Sequence, residues 1–368
     1  MTYPQRLAKL TASMSASGLD AVAINPGPTL AYLTGLDFHL MERPVVLIVT
    51  LGQPPALILP ELEFAKTAAL DYEIKTYPYG ENPADWPQIF RQALHEAGLH
   101  GRTIGVEPRC LRVLELRYLE NGAPDAQIVS AEQTLAALRL TKDPAEIATM
   151  RTAVQIAQQA LEATLPLIKM GMSERELAAE LTIQMLRLGA AGVSFNPIVS
   201  GGPNSANPHA SPSERKLQAG DLLLFDWGAA YNGYISDLTR TFAVGEIDPK
   251  FEKIHKIVQA ANAAGRAAGK PGVPAAKVDQ AARGVIEAAG YGEYFRHRTG
   301  HGIGMEVHED PYMRGDNQQL LEVGMAYTVE PGIYLLGEGG VRIEDDVIVT
   351  ENGSESLSDM PREIRVVG

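Results

Sequence analysis

The sequence predicts a mixed α/β protein with two domains. Its 368 residues exceed the roughly 150 residues of an average domain. In residues 1–140, short β-branched runs alternate with helical segments, as in a layered α/β domain. In residues 141–368, two helices followed by a hairpin occur twice in the same order, which indicates an approximate internal duplication. We therefore predict an α/β domain over 1–140 and a pseudo-two-fold α+β domain over 141–368.

The N-terminal domain is expected to hold six strands and four helical segments. The predicted strands are short runs rich in β-branched residues: Ala21–Ile24, Val45–Thr50, Ala56–Leu59, Glu73–Tyr77, Thr103–Val106 and Gln127–Ser130. The helical segments cover residues 1–20, 61–69, 86–97 and 111–120. Because this half carries no cluster of catalytic residue types, we expect it to act as a scaffold, a lid or a dimerisation surface.

Helix start signals open the second domain. Asp143 is suited to cap a helix whose first residue is Pro144. Ser173 and Glu176 form a capping-box pattern at the start of a second helix. A long loop over residues 196–220 is then expected before a hairpin over 221–244 that turns at Asn232-Gly233. The repeat of this order comprises helices near 248–269 and 274–290, a Gly-rich segment at 300–304 and a hairpin near 326–349.

The charge balance excludes two classes of partner. There are 45 acidic and 32 basic side chains, which gives a formal net charge of −13. Nucleic-acid binding and attraction to anionic membranes both need basic surfaces, so we expect neither partner. The single cysteine, Cys110, excludes an intrachain disulfide and a Cys-rich zinc site. With no signal-like or membrane-spanning apolar run, the expected location is the cytoplasm.

The first hairpin of the second domain places two carboxylates on one face. If Asn232-Gly233 is a two-residue turn, Asp226 pairs with Thr239, and Asp237 lies two residues from Thr239 on the same strand. Side chains alternate along a strand, so Asp226 and Asp237 become diagonal neighbours about 7–8 Å apart. Converging carboxylates are unfavourable unless a cation neutralises them. The alternative is that each carboxylate caps a turn or faces solvent.

The second hairpin and the Gly-rich segment add three further candidates. A two-residue loop at Glu338-Gly339 would place Glu330 and Glu344 on opposite faces, whereas an odd loop or a bulge would bring them together. His301 lies between glycines, which permit close approach of the backbone to a ligand, and imidazole is a common metal ligand. Together Asp226, Asp237, His301, Glu330 and Glu344 form an oxygen-rich set suited to two divalent ions.

These residues lie in segments that resemble the pita-bread metallopeptidases, the group that includes creatinase, proline dipeptidase and aminopeptidase P. The resemblance covers essentially the whole chain, with a creatinase-like N-terminal domain followed by a pita-bread domain. It rests on five motifs in order: Ser-Ala-Asn-Pro-His209, Asp226 to Asp237 with the following Leu-Thr-Arg-Thr-Phe, Gly300-His-Gly-Ile-Gly with Val-His308-Glu, Val-Glu330-Pro-Gly, and Val-Arg-Ile-Glu344-Asp-Asp.

The resemblance implies a role for each candidate residue. Asp226 would chelate one metal, Asp237 and Glu344 would bridge both, and His301 and Glu330 would complete the second. A metal-bridging hydroxide would attack the scissile carbonyl while Glu330 transfers the proton. His209 and His308 would orient the peptide substrate, and Arg342 would orient a carboxylate ligand. The implied cofactors are two divalent ions per subunit, with Mn²⁺ foremost and Co²⁺ or Zn²⁺ as alternatives.

The resemblance implies a metal-dependent exopeptidase that cleaves Xaa-Pro bonds, most closely an Xaa-Pro dipeptidase. Aminopeptidase P is the first alternative. The two enzymes differ in whether substrate residues after the proline fit into the site. A creatinase-type hydrolase and a non-catalytic binding module remain as further alternatives, although their relatives lack some of the five ligands. A small Xaa-Pro peptide and a second copy of the chain are the implied partners.

Overall fold

The chain folds as two compact units, Met1–Arg139 and Leu140–Gly368. The computed structural model describes every residue from 1 to 368. No helix combines the length and the apolar composition that a membrane crossing requires.

The N-terminal unit consists of five α-helices and one six-stranded sheet. In chain order its elements are α1 (Tyr3–Ala16), β1 (Ala21–Ile24), α2 (Pro28–Thr34), β2 (Val46–Thr50), β3 (Ala56–Pro60), β4 (Lys75–Tyr79), α3 (Trp86–Glu96), β5 (Thr103–Val106), α4 (Val113–Gly122), β6 (Gln127–Ser130) and α5 (Glu132–Arg139). The strand order is β4-β3-β2-β1-β5-β6. All six predicted strands are therefore present.

Three helical segments of this unit differ from the sequence expectation. Glu61–Ala69 is a 3₁₀-helix with no buried residue, so no apolar face holds it in α-helical form. The α2 helix was not predicted, because its seven residues lie between Gly27 and Gly35 and resemble a loop in sequence. The α5 helix was not predicted either, although Leu135 and Leu138 are buried.

The C-terminal unit contains four long helices and fourteen mostly short strands. Its elements are α6 (Pro144–Thr164), α7 (Glu174–Arg187), β7 (Gly192–Val193), β8 (Ile198–Gly201), β9 (Leu222–Trp227), β10 (Ala229–Tyr231), β11 (Tyr234–Ile235), β12 (Leu238–Val244), α8 (Pro249–Ala268), α9 (Ala276–Ala288), β13 (Gly300–Gly302), β14 (Glu309–Met313), β15 (Ala326–Val329), β16 (Gly332–Leu335), β17 (Gly339–Arg342), β18 (Asp345–Thr350), β19 (Gly353–Ser356) and β20 (Val366–Val367).

The predicted duplication is visible in the order and pairing of these elements. The helices α6 and α7 precede the antiparallel strands β8, β9 and β12, and the helices α8 and α9 precede the antiparallel strands β13, β15 and β18. The two sheets have the orders β20-β12-β9-β8 and β14-β13-β15-β18-β19. An isolated bridge between Thr239 and Glu344 joins the two halves.

Local sequence signals act as predicted at the helix starts of the first half. The Asp143 side chain accepts the backbone N–H groups of Ala145 and Glu146 at the start of α6. Ser173 and Glu176 form a reciprocal capping box at the start of α7. The expected loop over 196–220 is partly wrong, because β8 lies within it and pairs with β9. Its four residues, Ile-Val-Ser-Gly, are too few to give an alternating pattern.

Apolar side chains of α6 and α7 bury the first sheet of the C-terminal unit. Trp227, Phe225 and Phe242 are among its largest buried side chains, and the Trp227 indole donates to the Ala157 carbonyl on α6. In the second half, Ile254 and Val258 of helix α8 share a buried cluster with Ile333 of β16 and Val341 of β17. Apolar helix faces therefore cover β9 and β12 in the first half and the β16–β17 hairpin in the second.

Candidate functional site

The site is a cavity of about 970 Å³ within the C-terminal unit. All eight residues that the sequence singled out line it: His209, Asp226, Asp237, His301, His308, Glu330, Arg342 and Glu344. They come from both halves of the duplication and from four separate parts of the chain. The fold therefore brings together residues that are up to 135 positions apart, as counted between His209 and Glu344.

The first hairpin has the predicted register. Asn232 and Gly233 both have positive φ, 47° and 80°, as the tight two-residue turn requires. Asp226 consequently pairs with Thr239. Asp237 lies two residues before Thr239 along the chain, and its side chain is on the same face. Both carboxylates are buried, and one oxygen of each, Asp226 Oδ1 and Asp237 Oδ1, has no hydrogen-bond partner.

The second hairpin resolves the choice that the sequence left open. Its strands β16 and β17 are joined by three residues, 336–338, with Gly337 at a positive φ of 80°. The pairs Val329–Asp345 and Gly332–Arg342 lie on either side of Glu330 and Glu344. An odd loop therefore sets Glu330 opposite Glu344, whereas a two-residue loop would have separated them.

His301 lies in β13 and directs its Nε2 atom at the carboxylates. This nitrogen is 3.7 Å from Asp237 Oδ2 and 3.5 Å from Glu330 Oε1. The other ring nitrogen, Nδ1, lies 3.1 Å from the Gly302 carbonyl oxygen, which leaves Nε2 without a proton as a metal ligand requires. One ligand atom from each of Asp237, His301 and Glu344 falls within 4.8 Å of the others.

The glycines beside His301 allow close packing of neighbouring backbones. A Cβ atom on Gly300 would lie 1.8 Å from the Thr328 carbonyl oxygen, and one on Gly302 would lie 2.2 Å from the Asp310 carbonyl oxygen. A side chain at either position would therefore push the neighbouring backbone away from β13, which carries His301.

Arg342 connects the two carboxylate pairs. It is 2% exposed, and its Nη2 donates to Asp226 Oδ2 at 2.5 Å. Its Nε donates to Thr239 Oγ1 at 3.1 Å, and Thr239 in turn donates to Glu344 Oε2 at 2.6 Å. One guanidinium thus fixes Asp226 directly and Glu344 through a hydroxyl.

The remaining predicted histidines line the cavity. His209 and His308 are both exposed. The His308 ring lies 4.2 Å from the His301 ring, centroid to centroid, in an edge-on arrangement. His297, which had no predicted role, lies 2.9 Å from the Tyr334 hydroxyl through Nε2, and that hydroxyl accepts from Arg342.

The electrostatics of the cluster favour a bound cation. Burial raises the pKa of Asp226, against the opposing pull of Arg342. Burial and the neighbouring Glu344 charge raise the pKa of Asp237, and burial and Glu330 raise that of Glu344. Burial raises the pKa of Glu330 to about 8, and burial lowers the pKa of His301 well below its usual range. Neutral imidazole beside crowded carboxylates is the donor set that divalent ions bind.

Two acidic residues beside Glu344 were quoted in the motif but given no role. Asp346 is fully buried and accepts the backbone N–H of Asp237 at 3.0 Å. Asp345 points to the opposite face, where Arg240 and Arg362 lower its pKa to about 2 although burial alone would raise it. Because side chains alternate along a strand, the Glu-Asp-Asp run indicates that Asp345 and Asp346 point to opposite faces.

Comparisons with known proteins agree with this geometry. Residues 148–351 match the model of metallopeptidase family M24, and residues 6–141 match the creatinase/prolidase N-terminal domain. A putative dipeptidase of Bacillus subtilis, YkvY, is 38% identical over 98% of this chain and 99% of its own. An Xaa-Pro dipeptidase of Lactobacillus delbrueckii subsp. lactis is 35% identical over 98% of both chains.

A solved structure supports the same assignment. Recombinant prolidase from Thermococcus sibiricus superposes with a TM-score of 0.93 at 36% identity, and the match covers all of both chains. The predicted fold, an N-terminal creatinase-like domain followed by a pita-bread domain, is thereby confirmed, as is the prediction that the protein is a metallopeptidase. The chain belongs to metallopeptidase family M24.

Proposed function

We propose that this protein is an Xaa-Pro dipeptidase that uses two divalent ions. The observation that supports this most strongly is the buried cluster around His301. Asp237 and Glu330 face its Nε2 atom, and an oxygen of Glu344 lies within 4.8 Å of ligand atoms of Asp237 and His301. Two buried carboxylate oxygens, Asp226 Oδ1 and Asp237 Oδ1, lack a hydrogen-bond partner. The proposed ligands are Asp226, Asp237, His301, Glu330 and Glu344. When bound, the ions supply a water of lowered pKa and an electrophile for the scissile carbonyl.

Glu330 is proposed as the residue that moves the proton. It is the most accessible of the four carboxylates, since its side chain retains 16% exposure, whereas that of Asp237 retains 6%. Its Oε1 atom faces His301 Nε2, and its Oε2 atom faces His297. We expect Glu330 to accept a proton from the attacking water and deliver it to the proline nitrogen, which carries no N–H of its own and must be protonated to leave.

His209, His308 and Arg342 complete the proposed catalytic set. The two histidines are exposed at the cavity wall, where their N–H groups can donate to a peptide carbonyl. Arg342 is buried and acts on the site by fixing Asp226 rather than by touching the peptide. The resemblance to the pita-bread metallopeptidases implies these assignments, and position and donor chemistry support them.

The name of the Lactobacillus delbrueckii relative supports proline specificity, and the family supports dependence on a divalent ion. We propose Mn²⁺ as the working metal, a cytoplasmic location and a homodimer. We also propose that residues 1–140 form the dimerisation and access domain and that 141–368 form the catalytic domain.

Paired peptide substrates test this function. Metal-stripped protein is given Mn²⁺, Co²⁺ or Zn²⁺ and offered Ala-Pro or Ala-Pro-Ala. We expect hydrolysis of Ala-Pro that depends on added metal, with slow cleavage of the tripeptide. Efficient cleavage of Ala-Pro-Ala would identify an aminopeptidase P instead. Hydrolysis of neither peptide under any metal would contradict the proposal.

A further inference from the structure

Helix α9 carries an ion pair that faces the chain segment leading to His301. Asp279 and Arg283 lie one helical turn apart. Arg283 Nε donates to Asp279 Oδ2 and Arg283 Nη2 donates to Asp279 Oδ1, both at 2.9 Å. Asp279 is 2% exposed. The bidentate geometry fixes both side chains, so this pair is a rigid feature of the helix.

The ion pair holds the segment 295–299. Arg283 Nη1 donates to the Phe295 carbonyl at 3.0 Å, and Nη2 donates to the His297 carbonyl at 2.7 Å. Asp279 Oδ1 accepts both the backbone N–H of Thr299, at 3.0 Å, and its hydroxyl, at 2.8 Å. One helix turn thereby binds three residues of a segment that has no strand partner along most of its length.

Thr299 connects the ion pair to the proposed site. Its carbonyl accepts the backbone N–H of Glu330 at 2.7 Å, and His301 follows it by two residues. Thr299 is fully buried. Two successive hydrogen bonds therefore connect the Asp279 carboxylate to the backbone of Glu330, and a short covalent path connects it to His301.

We propose that Asp279 and Thr299 are positioning residues that set Glu330 and His301 in their working geometry. This inference rests on the ligand roles proposed above. It goes beyond them because neither residue touches the carboxylate cluster. A displacement of about 1 Å at a catalytic group can lower a rate about 100-fold, so a buried anchor one hydrogen bond from Glu330 is expected to affect both metal binding and turnover.

Thr299→Val tests the anchor with the least change in shape, since it removes the hydroxyl alone. Thr299→Ser restores the hydroxyl. Thr164→Val is the matched control, because Thr164 is also fully buried but donates to the Ala160 carbonyl within α6, away from the site. Asp279→Asn is a second variant, which keeps an acceptor oxygen for Thr299 but removes the charge that holds Arg283.

The readouts are Co²⁺ affinity, the visible spectrum of the Co²⁺-loaded protein, and the split between kcat and KM on Ala-Pro. For Thr299→Val we expect Co²⁺ affinity and kcat each to fall about tenfold, with KM changed less than twofold. Asp279→Asn should also lower both the Co²⁺ affinity and kcat. Thr299→Ser and Thr164→Val should match the wild type, and the metal-free Thr299→Val protein should unfold within a few degrees of it.

Two results would overturn the inference. One is wild-type Co²⁺ affinity, spectrum and kcat in both Thr299→Val and Asp279→Asn. The other is an equal loss in Thr164→Val, which would mean that any buried hydroxyl matters as much. Failure of the proposed function is distinguishable, because the wild-type protein would then bind no Co²⁺ or leave Ala-Pro intact.

Discussion

Arg342 and Asp226 form a buried ion pair that joins the two halves of the C-terminal unit. Arg342 lies in β17 of the second half and Asp226 in β9 of the first, and Nη2 is 2.5 Å from Oδ2. The pair leaves Asp226 Oδ1 without a partner. A guanidinium that occupies one carboxylate oxygen thereby directs the other towards the cluster, which is the arrangement expected of a fixed metal ligand.

Substitution of Arg342 should therefore weaken metal binding. Arg342→Lys keeps the charge but loses the planar fork that contacts Asp226, Thr239 and Tyr334 together. We expect Mn²⁺ affinity, measured by calorimetric titration of metal-stripped protein, to fall about 10- to 100-fold. Arg175→Lys is the control, because Arg175 pairs with Glu214 at the surface. This variant should bind Mn²⁺ with the affinity of the wild type. Equal affinity in Arg342→Lys and wild type would argue against this positioning.

Glu330→Gln should abolish turnover without unfolding the protein. An amide cannot accept the proton, and loss of a general base lowers rates by about 10²- to 10⁴-fold. The measurement is kcat on Ala-Pro, with circular dichroism to verify the fold. Glu338→Gln, in the loop of the same hairpin, is the control and should keep wild-type kcat. A Glu330→Gln enzyme with near-normal kcat would remove Glu330 from the proton-transfer role.

The part of the metal-free protein's stability that depends on Glu330 should decrease as the pH rises from about 4.5 to about 8. Burial raises the pKa of Glu330 from 4.5 to about 8, so within this window the folded state binds more protons than the unfolded state. The Glu330 contribution to the free energy of unfolding then decreases with rising pH. Thermal unfolding of the metal-free proteins should therefore show that the wild type loses stability relative to Glu330→Gln as the pH rises through this range. Identical pH profiles for the two proteins would contradict the expectation.

A second effect of pH follows for the metal. Protons and divalent ions compete for the same carboxylates, so metal binding releases protons. The rise in Tm on adding Mn²⁺ should therefore be larger at pH 8 than at pH 5.5. A rise in Tm of equal size at both pH values would mean that the carboxylates with raised pKa are not the metal ligands.

The buried ion pair between Lys142 and Glu309 should contribute strongly to stability. Its Nζ–Oε1 distance is 2.5 Å, with both side chains under 10% exposed. Lys142→Met removes the cation that faces Glu309, and removal of one partner from a buried pair lowers the free energy of unfolding by about 3–5 kcal/mol. Urea unfolding measures this. The double variant Lys142→Met with Glu309→Gln should recover part of the loss, whereas additive losses would argue against a direct interaction.

The parts of the site that were predictable depend on short-range signals. Asn232-Gly233 specifies its turn locally, so the pairing of Asp226 with Thr239 follows from counting residues. The second hairpin lacks such a signal, because Leu336-Gly337-Glu338 is compatible with several loop lengths. The sequence alone therefore does not decide whether Glu330 and Glu344 lie opposite each other.

Other features depend on packing between distant segments. The partner of Arg342 lies 116 residues away, and no local pattern specifies that distance. The role of the glycines beside His301 depends on the backbones of Thr328 and Asp310, which the sequence does not place beside them. Asp279 and Arg283 form a recognisable i, i+4 pair, yet their contacts with residues 295–299 require that α9 pack against this segment.

The most direct test of the central claim is metal stoichiometry measured together with activity. Metal-stripped protein is titrated with Mn²⁺ while bound ions per chain and Ala-Pro hydrolysis are followed in parallel. The proposed site predicts two ions per chain and hydrolysis that rises only as they bind, with both lost in Asp237→Asn. Full activity in the metal-free protein, or activity without bound Mn²⁺, would contradict it.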